Sequence, residues 1–168
     1  MSEADSPWAR LACRIVRVAM ARKECTYSSL VQFLASDGVE DTERSLVLRI
    51  NRGSLRLSSW LHILTLMSAT VPELWRSSLP ARADWPGAAR DVVLVELKEG
   101  GVTELSALTE QLARLGTTIT EEALESHIMT GTISLALFLQ LLFIVRSHSL
   151  ERYVDFSDIL KTADKAMA

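Results

Sequence analysis

The chain contains one folding unit written twice. With Trp8 laid beside Trp85, Thr26–Ala35 falls on Thr103–Ala113, with one residue inserted in the second copy. Beyond that insertion a single shift of 78 pairs Gly38 with Gly116, Glu43 with Glu121, Leu46 with Leu124 and Ile50 with Ile128. It also pairs Gly53 with Gly131, Ser54 with Thr132, Leu55 with Ile133, Trp60 with Phe138 and Trp75 with Tyr153. A fixed period with matched punctuation marks a duplicated unit, and each paired glycine marks a backbone position where a side chain would be strained. Each copy holds about 75 residues, near the size at which a lone core is marginal, so the halves are expected to pack together.

The copies differ in charge. Residues 8–82 carry 11 Arg/Lys against 6 Asp/Glu, whereas residues 83–168 carry 7 against 13. The net charge of −3 averages two unlike halves, and 48% hydrophobic with 23% charged residues excludes a disordered chain. Cys13 and Cys25 lie in the first copy at no metal-ligand spacing and read as buried thiols of a reducing compartment. The N-terminus is acidic and lacks the apolar core of a signal peptide. The most apolar run, Ile133 to Val145, is 13 residues and too short to span a bilayer as a helix. A cytoplasmic protein with no membrane association is expected.

Helical periodicity and caps predict an all-α chain. Ser6-Pro7 starts a helix through about Arg22, with Leu11, Ile15, Val16, Val18 and Ala19 on its apolar stripe. Thr26 caps a second helix that stops at Gly38. A third, from Asp41 or Thr42, turns Leu46, Val47 and Ile50 inward and ends at Gly53. Ser58-Ser59 leads a fourth, and a short fifth follows Val71-Pro72. The second copy repeats the plan over about 87–99, 105–114, 120–129, 134–146 and 149–154, with a polar tail adding a turn or two of helix. The expected organisation is a first repeat over 1–76, a linker over 77–86 with two prolines, and a second repeat over 87–168.

Thr26-Tyr27-Ser28-Ser29-Leu30 at the head of the second helix, and Leu48-Arg49-Ile50-Asn51-Arg52-Gly53 at the end of the third, resemble the phage-repressor class of helix-turn-helix domains, also called xenobiotic-response-element or lambda-repressor-like. The run Arg49 to Trp60 also resembles a small family of uncharacterised bacterial domains. The helix-turn-helix resemblance covers roughly residues 8–75. It implies a threonine-capped support helix and a recognition helix for duplex DNA in the first of two tandem pseudo-repeats of about five helices, the second repeat being an acidic, degenerate copy of the same helix-turn-helix. A reading helix must show short polar or cationic side chains outward while its inner face stays anchored. With Leu46, Val47 and Ile50 inward, Thr42, Glu43, Arg44, Ser45, Arg49 and Arg52 are left near the outer face, and of these Thr42, Arg44, Ser45, Arg49 and Arg52 are the expected DNA contacts. Ser28, Ser29 and Gln32 sit where a helix start commonly holds phosphate, and Arg56 follows the turn. The connection Ala35 to Asp41 is longer than the family's tight turn and carries Asp37, Glu40 and Asp41, which would repel any phosphate they faced.

Copy two replaces Arg44, Arg49 and Arg52 with Glu122, His127 and Thr130, so its equivalent face, with Glu121 and Glu125, is acidic. Its fourth helix, 134–146, is apolar nearly all round and needs cover on more than one side. Leu137, Leu141 and Ile144 are expected to supply a homodimer seam, with packing on the first copy as the alternative. The resulting expectation is a small transcriptional regulator that binds duplex DNA through its first repeat. A non-enzymatic regulator that binds and inhibits another protein is the alternative. No enzyme is expected, and neither cofactor nor metal: His62, His127 and His148 are scattered, and Ser147-His148-Ser149 is adjacency rather than a catalytic geometry. The aromatics kept between copies, Trp60 with Phe138 and Trp75 with Tyr153, read as shared core rather than as stacking platforms for bases.

Overall fold

A computed structural model describes residues 6–79 and 84–168. Four helices form the first repeat: α1 (Pro7–Arg22), α2 (Tyr27–Ser36), α3 (Glu43–Asn51) and α4 (Leu57–Leu66), followed by a 3-10 helix over Glu73–Ser78. The second has α5 (Trp85–Glu99), α6 (Leu105–Arg114), α7 (Glu121–Met129) and α8 (Leu135–Ile144), and α9 (Phe156–Met167) closes the chain. Among the described residues there is no strand beyond one isolated bridge, and no helix is long and apolar enough to cross a membrane.

Side-chain caps form where a hydroxyl precedes a helix, whereas the carboxylates of Glu104 and Asp155, ahead of α6 and α9, make none. Ser6, Thr26, Thr42 and Thr120 each accept a backbone N–H from the first turn. The ends of the expected linker belong to helices, because the 3-10 helix runs through Ser78 and Asp84 caps α5 at Trp85. Residues 80–83 lie outside the described residues. The expected helix over 149–154 is a series of turns instead, and the expected short tail is a three-turn helix, α9, that buries Ile159, Thr162 and Ala163.

The two repeats interlock about a pseudo-dyad. Arg56 and Ser134, which are 78 residues apart, face each other in the antiparallel bridge. On either side, Leu57 N–H donates to Ile133 O at 3.0 Å and Leu135 N–H donates to Leu55 O at 2.8 Å, two bonds that the dyad exchanges. The most extensive helix pairings, α4 with α5 and α1 with α8, both cross the repeat boundary. The aromatic pairs cross it as well: Trp60 meets Tyr153 at 5.9 Å and Trp75 meets Phe138 at 5.7 Å between ring centroids. Tyr153 donates its hydroxyl to Thr70 O, and Trp75 donates Nε1–H to the buried Glu96 carboxylate, each at 2.7 Å. The buried residues of both repeats belong to one continuous core.

This interlocking places the three residues of the expected seam on α8 against the chain's own core to different degrees. Leu141 is 1% exposed within a single chain, and Leu137 and Ile144 are half-buried against the same core. No residue of α8 is exposed, because α1, α4, α5, α6 and α9 surround it. Much of the apolar surface of α8 is covered by the first repeat, by α9 and by its own repeat, as the alternative of packing on the first copy expects, with Leu137 and Ile144 left only half-buried.

Candidate nucleic-acid interface

The recognition helix expected from sequence is α3. Leu46 and Ile50 anchor it in the core, Val47 is half-buried, and Gly53 ends it in the left-handed conformation. Its outer side forms a shallow cleft of 290 Å³ lined by Thr42, Arg44, Ser45, Leu48, Arg49 and Arg52. Five of the nine residues expected to contact DNA therefore converge on one surface, and none of the six lining residues is acidic. Leu48, which the sequence did not single out, stands 42% exposed on that surface. An exposed leucine between arginines suits contact with a thymine methyl group beside cation contacts.

The other four expected residues behave differently. The Ser29 hydroxyl is bonded to Thr26 Oγ1 at 2.8 Å, and its backbone N–H is donated to the same oxygen at 3.1 Å. That cap occupies one of the amides expected to hold phosphate. Ser28 and Gln32 lie on α2 outside the α3 cleft. Arg56 is exposed at the pseudo-dyad, also outside the cleft.

Two of the three acids of the α2–α3 connection are engaged by side-chain partners. Arg49 Nη2 donates to the Asp41 carboxylate, so Arg49 is tied to the loop rather than held out as a free cation. His62 Nε2 lies 2.5 Å from Asp37 Oδ2, while the His62 ring stacks on Trp85 at 4.6 Å. The long connection thus straps α2 to α3 and α4, and of its three acids only Glu40 has no hydrogen-bonding or ion-pair side-chain partner among the described residues.

Sequence reasoning missed a second basic surface. Arg10, Arg14 and Arg17 form an exposed row on α1 and, with Cys13, Val18, Ala21 and Asn51, line an open cleft of 530 Å³. Arg17 Nη2 donates to Asn51 Oδ1 at 2.6 Å. The dyad-related surface in the second repeat has a different character. There, Leu94 and Met129 stand where Arg17 and Asn51 do, both exposed, in a groove of 450 Å³ whose lining also includes Leu97 and Ile128, two acids, Glu104 and Glu125, and one cation, Lys98. Glu121, Glu122 and Glu125 are exposed on α7, as the sequence indicates. No group of three or more His, Cys, Asp or Glu that could hold a metal occurs among the described residues.

A family model described as "Domain of unknown function (DUF6471)" matches this chain twice, over residues 8–71 and 85–150. The chain belongs to the DUF6471 family. Both matches begin at the tryptophan in the first turn of each repeat's first helix and run through the fourth helix. Each DUF6471 unit is therefore the four-helix body related to the other by the pseudo-dyad. Neither match includes α9. No curated protein and no solved structure matches the chain.

Proposed function

We propose that this DUF6471 protein is a small transcriptional regulator that binds duplex DNA, with α3 of the first repeat as its reading element. The observation that carries this reading is the convergence of Thr42, Arg44, Ser45 and Arg52 around exposed Leu48, on a helix whose opposite face is anchored. A helix anchored on one face and polar or cationic on the other is what a major-groove reader requires, and this supports the reading. Arg44 and Arg52 are the principal base or phosphate contacts, and Arg49 has the lesser role of fixing the preceding loop. The second repeat, acidic over α7, serves as the structural partner that completes the core.

A gel-shift titration of pooled duplex fragments at two salt concentrations tests this. Binding through several arginines weakens by orders of magnitude between low and moderate salt. Arg44→Gln with Arg52→Gln is expected to abolish discrimination between fragments, at about 1–3 kcal/mol for each arginine–base pairing removed. Arg49→Gln is expected to do less. Absence of any shift at low salt would refute the reading.

One observation favours the alternative, a non-enzymatic regulator that binds and inhibits another protein. The Leu94–Met129 groove of the second repeat is apolar with carboxylates in its lining, a character suited to a protein segment rather than to DNA. The readings separate by mutation, since Leu94→Glu with Met129→Glu should leave DNA binding intact and abolish any protein contact made there.

A further inference from the structure

We propose that Arg10, Arg14 and Arg17, continued by Lys165 of α9, form a second anion-binding track that grips the sugar–phosphate backbone of the duplex read by α3. This rests on the DNA-binding reading above and extends it to a surface outside the helix-turn-helix. The three arginines sit at i, i+4 and i+7 on α1, so their Cα positions span about 10 Å of helix axis. That is close to three base-pair rises of about 3.4 Å each.

The track is continuous with the reading helix at one end. Arg17 is held by Asn51, the last residue of α3, and Arg52 of the α3 cleft follows directly. At its other end, a cleft lined by Pro7, Arg10, Leu11, Arg14, Thr162 and Lys165 adds a cation from α9. The acid in contact with the row is Asp158, which pairs with Arg14 at 2.7 Å and Lys161 at 3.3 Å, leaving a clear cationic excess.

The equivalent helix of the second repeat packs without such a row. Across the pseudo-dyad their positions hold Gly87, Asp91 and Leu94 on a helix with the same packing role. The basic row is therefore a property of the first repeat alone, as the α3 cations are, and the two cationic features adjoin. Contacts to phosphate fix register and carry no sequence information. The track should accordingly govern affinity and salt dependence, while α3 governs sequence preference.

The test uses the full chain, a preferred duplex from the pooled selection and a scrambled duplex, each titrated over a series of potassium chloride concentrations. For Arg10→Gln with Arg14→Gln and Arg17→Gln, the slope of log affinity against log salt should flatten by about 0.9 for each phosphate no longer neutralised, or roughly 2–3 in all. The preferred-to-scrambled ratio should stay unchanged. Arg10→Gln with Lys165→Gln, which leaves the Arg14–Asp158 and Arg17–Asn51 bonds in place, should flatten it by about 1–2. It also guards against misfolding of the triple variant. If the wild type binds duplex and neither variant alters the slope, the track is overturned and the α3 reading stands. If the wild type binds no duplex at low salt, both fall. If polyglutamate competes as well as duplex does, an acidic macromolecule is the ligand and the backbone assignment is wrong.

Discussion

Gly53 and Gly131 show how much one residue can decide in this fold. Both adopt positive φ, at 65° and 66°, and both lie against the first helix of their own repeat. A Cβ on Gly53 would sit 2.4 Å from Ala9 O, and one on Gly131 would sit 2.0 Å from Pro86 O. Gly38, at φ 82°, has open space around it. Gly38→Ala should therefore cost only the left-handed penalty of about 1–2 kcal/mol. Gly53→Ala should add about 1–3 kcal/mol of overpacking, because α1 has to move away from α3. Urea unfolding of the two variants checks this; equal losses would mean that the close approach contributes nothing. These glycines were legible as paired letters. Their companions were not, since Glu24 at φ 49° occupies the turn where the second repeat has Gly101. Ser68 at φ 52° and Arg146 at φ 54° likewise share a turn that neither residue type announces. An exposed residue can carry modest strain at a helix end, so the conformation leaves no mark in the sequence.

Helix α9 is the element that the sequence disclosed least. Phe156, Ile159, Thr162, Ala163 and Ala166 recur at helical spacing and lie on its inner side, yet polar residues between them gave the segment the look of a tail. The four helices of each repeat were legible because apolar stripes, hydroxyl caps and terminal glycines agreed with one another. The α3 cleft was legible for the same reason, since an anchored face fixes what its opposite face displays. The Arg10–Arg14–Arg17 row was equally present in the letters. A charged outer helix face ordinarily means solvent contact, and only the fold brings Asn51 and Lys165 beside it. At this scale the Arg14–Asp158 pair gives a pH test. Hydrogen bonding from Arg14, and next from Lys161, holds the Asp158 carboxyl below its ordinary value of 3.8. A lowered carboxyl stabilises the folded state above the unfolded value and loses that contribution as pH falls through the folded one. The wild type should therefore exceed Asp158→Asn in stability at neutral pH. The difference should shrink below about pH 4, as followed by thermal melts of both proteins across that range. A difference that persists undiminished in strong acid would exclude the ion pair as its origin.

Across the whole molecule, the duplication acts as a dimer joined into one chain. Each first helix packs on the fourth helix of the other repeat, and each fourth-helix aromatic meets an aromatic contributed from across the dyad. Charge diverged outside this shared core, leaving a cationic α1–α3 surface in one repeat and an apolar, acidic α5–α7 surface in the other. Under the DNA-binding proposal, only the basic first repeat would serve as a reading head. On α8, Leu141 is buried within the single chain. Leu141→Glu should accordingly unfold the protein, because a buried charge without a partner costs several kcal/mol, rather than release a folded monomer from a dimer.

The same interlocking predicts how the halves behave apart. A fragment of residues 6–79 leaves α4 without α5 and Trp60 without Tyr153, and one of residues 84–168 leaves α8 without α1 and Phe138 without Trp75. At about 75–85 residues each, with their largest helix interfaces missing, neither fragment has a sufficient core. Each should show little helical circular dichroism alone and a broad, weakly cooperative melt. Equimolar mixing should restore the helical signal and a single sharp transition, because the missing interfaces are supplied in trans. Stoichiometry read by sedimentation should be one to one, as the cationic and acidic repeats attract each other and are complementary across the dyad. If the first fragment alone were helical, monomeric and cooperatively melting, each DUF6471 unit would be an independent domain and the interlocked core would be incidental to stability.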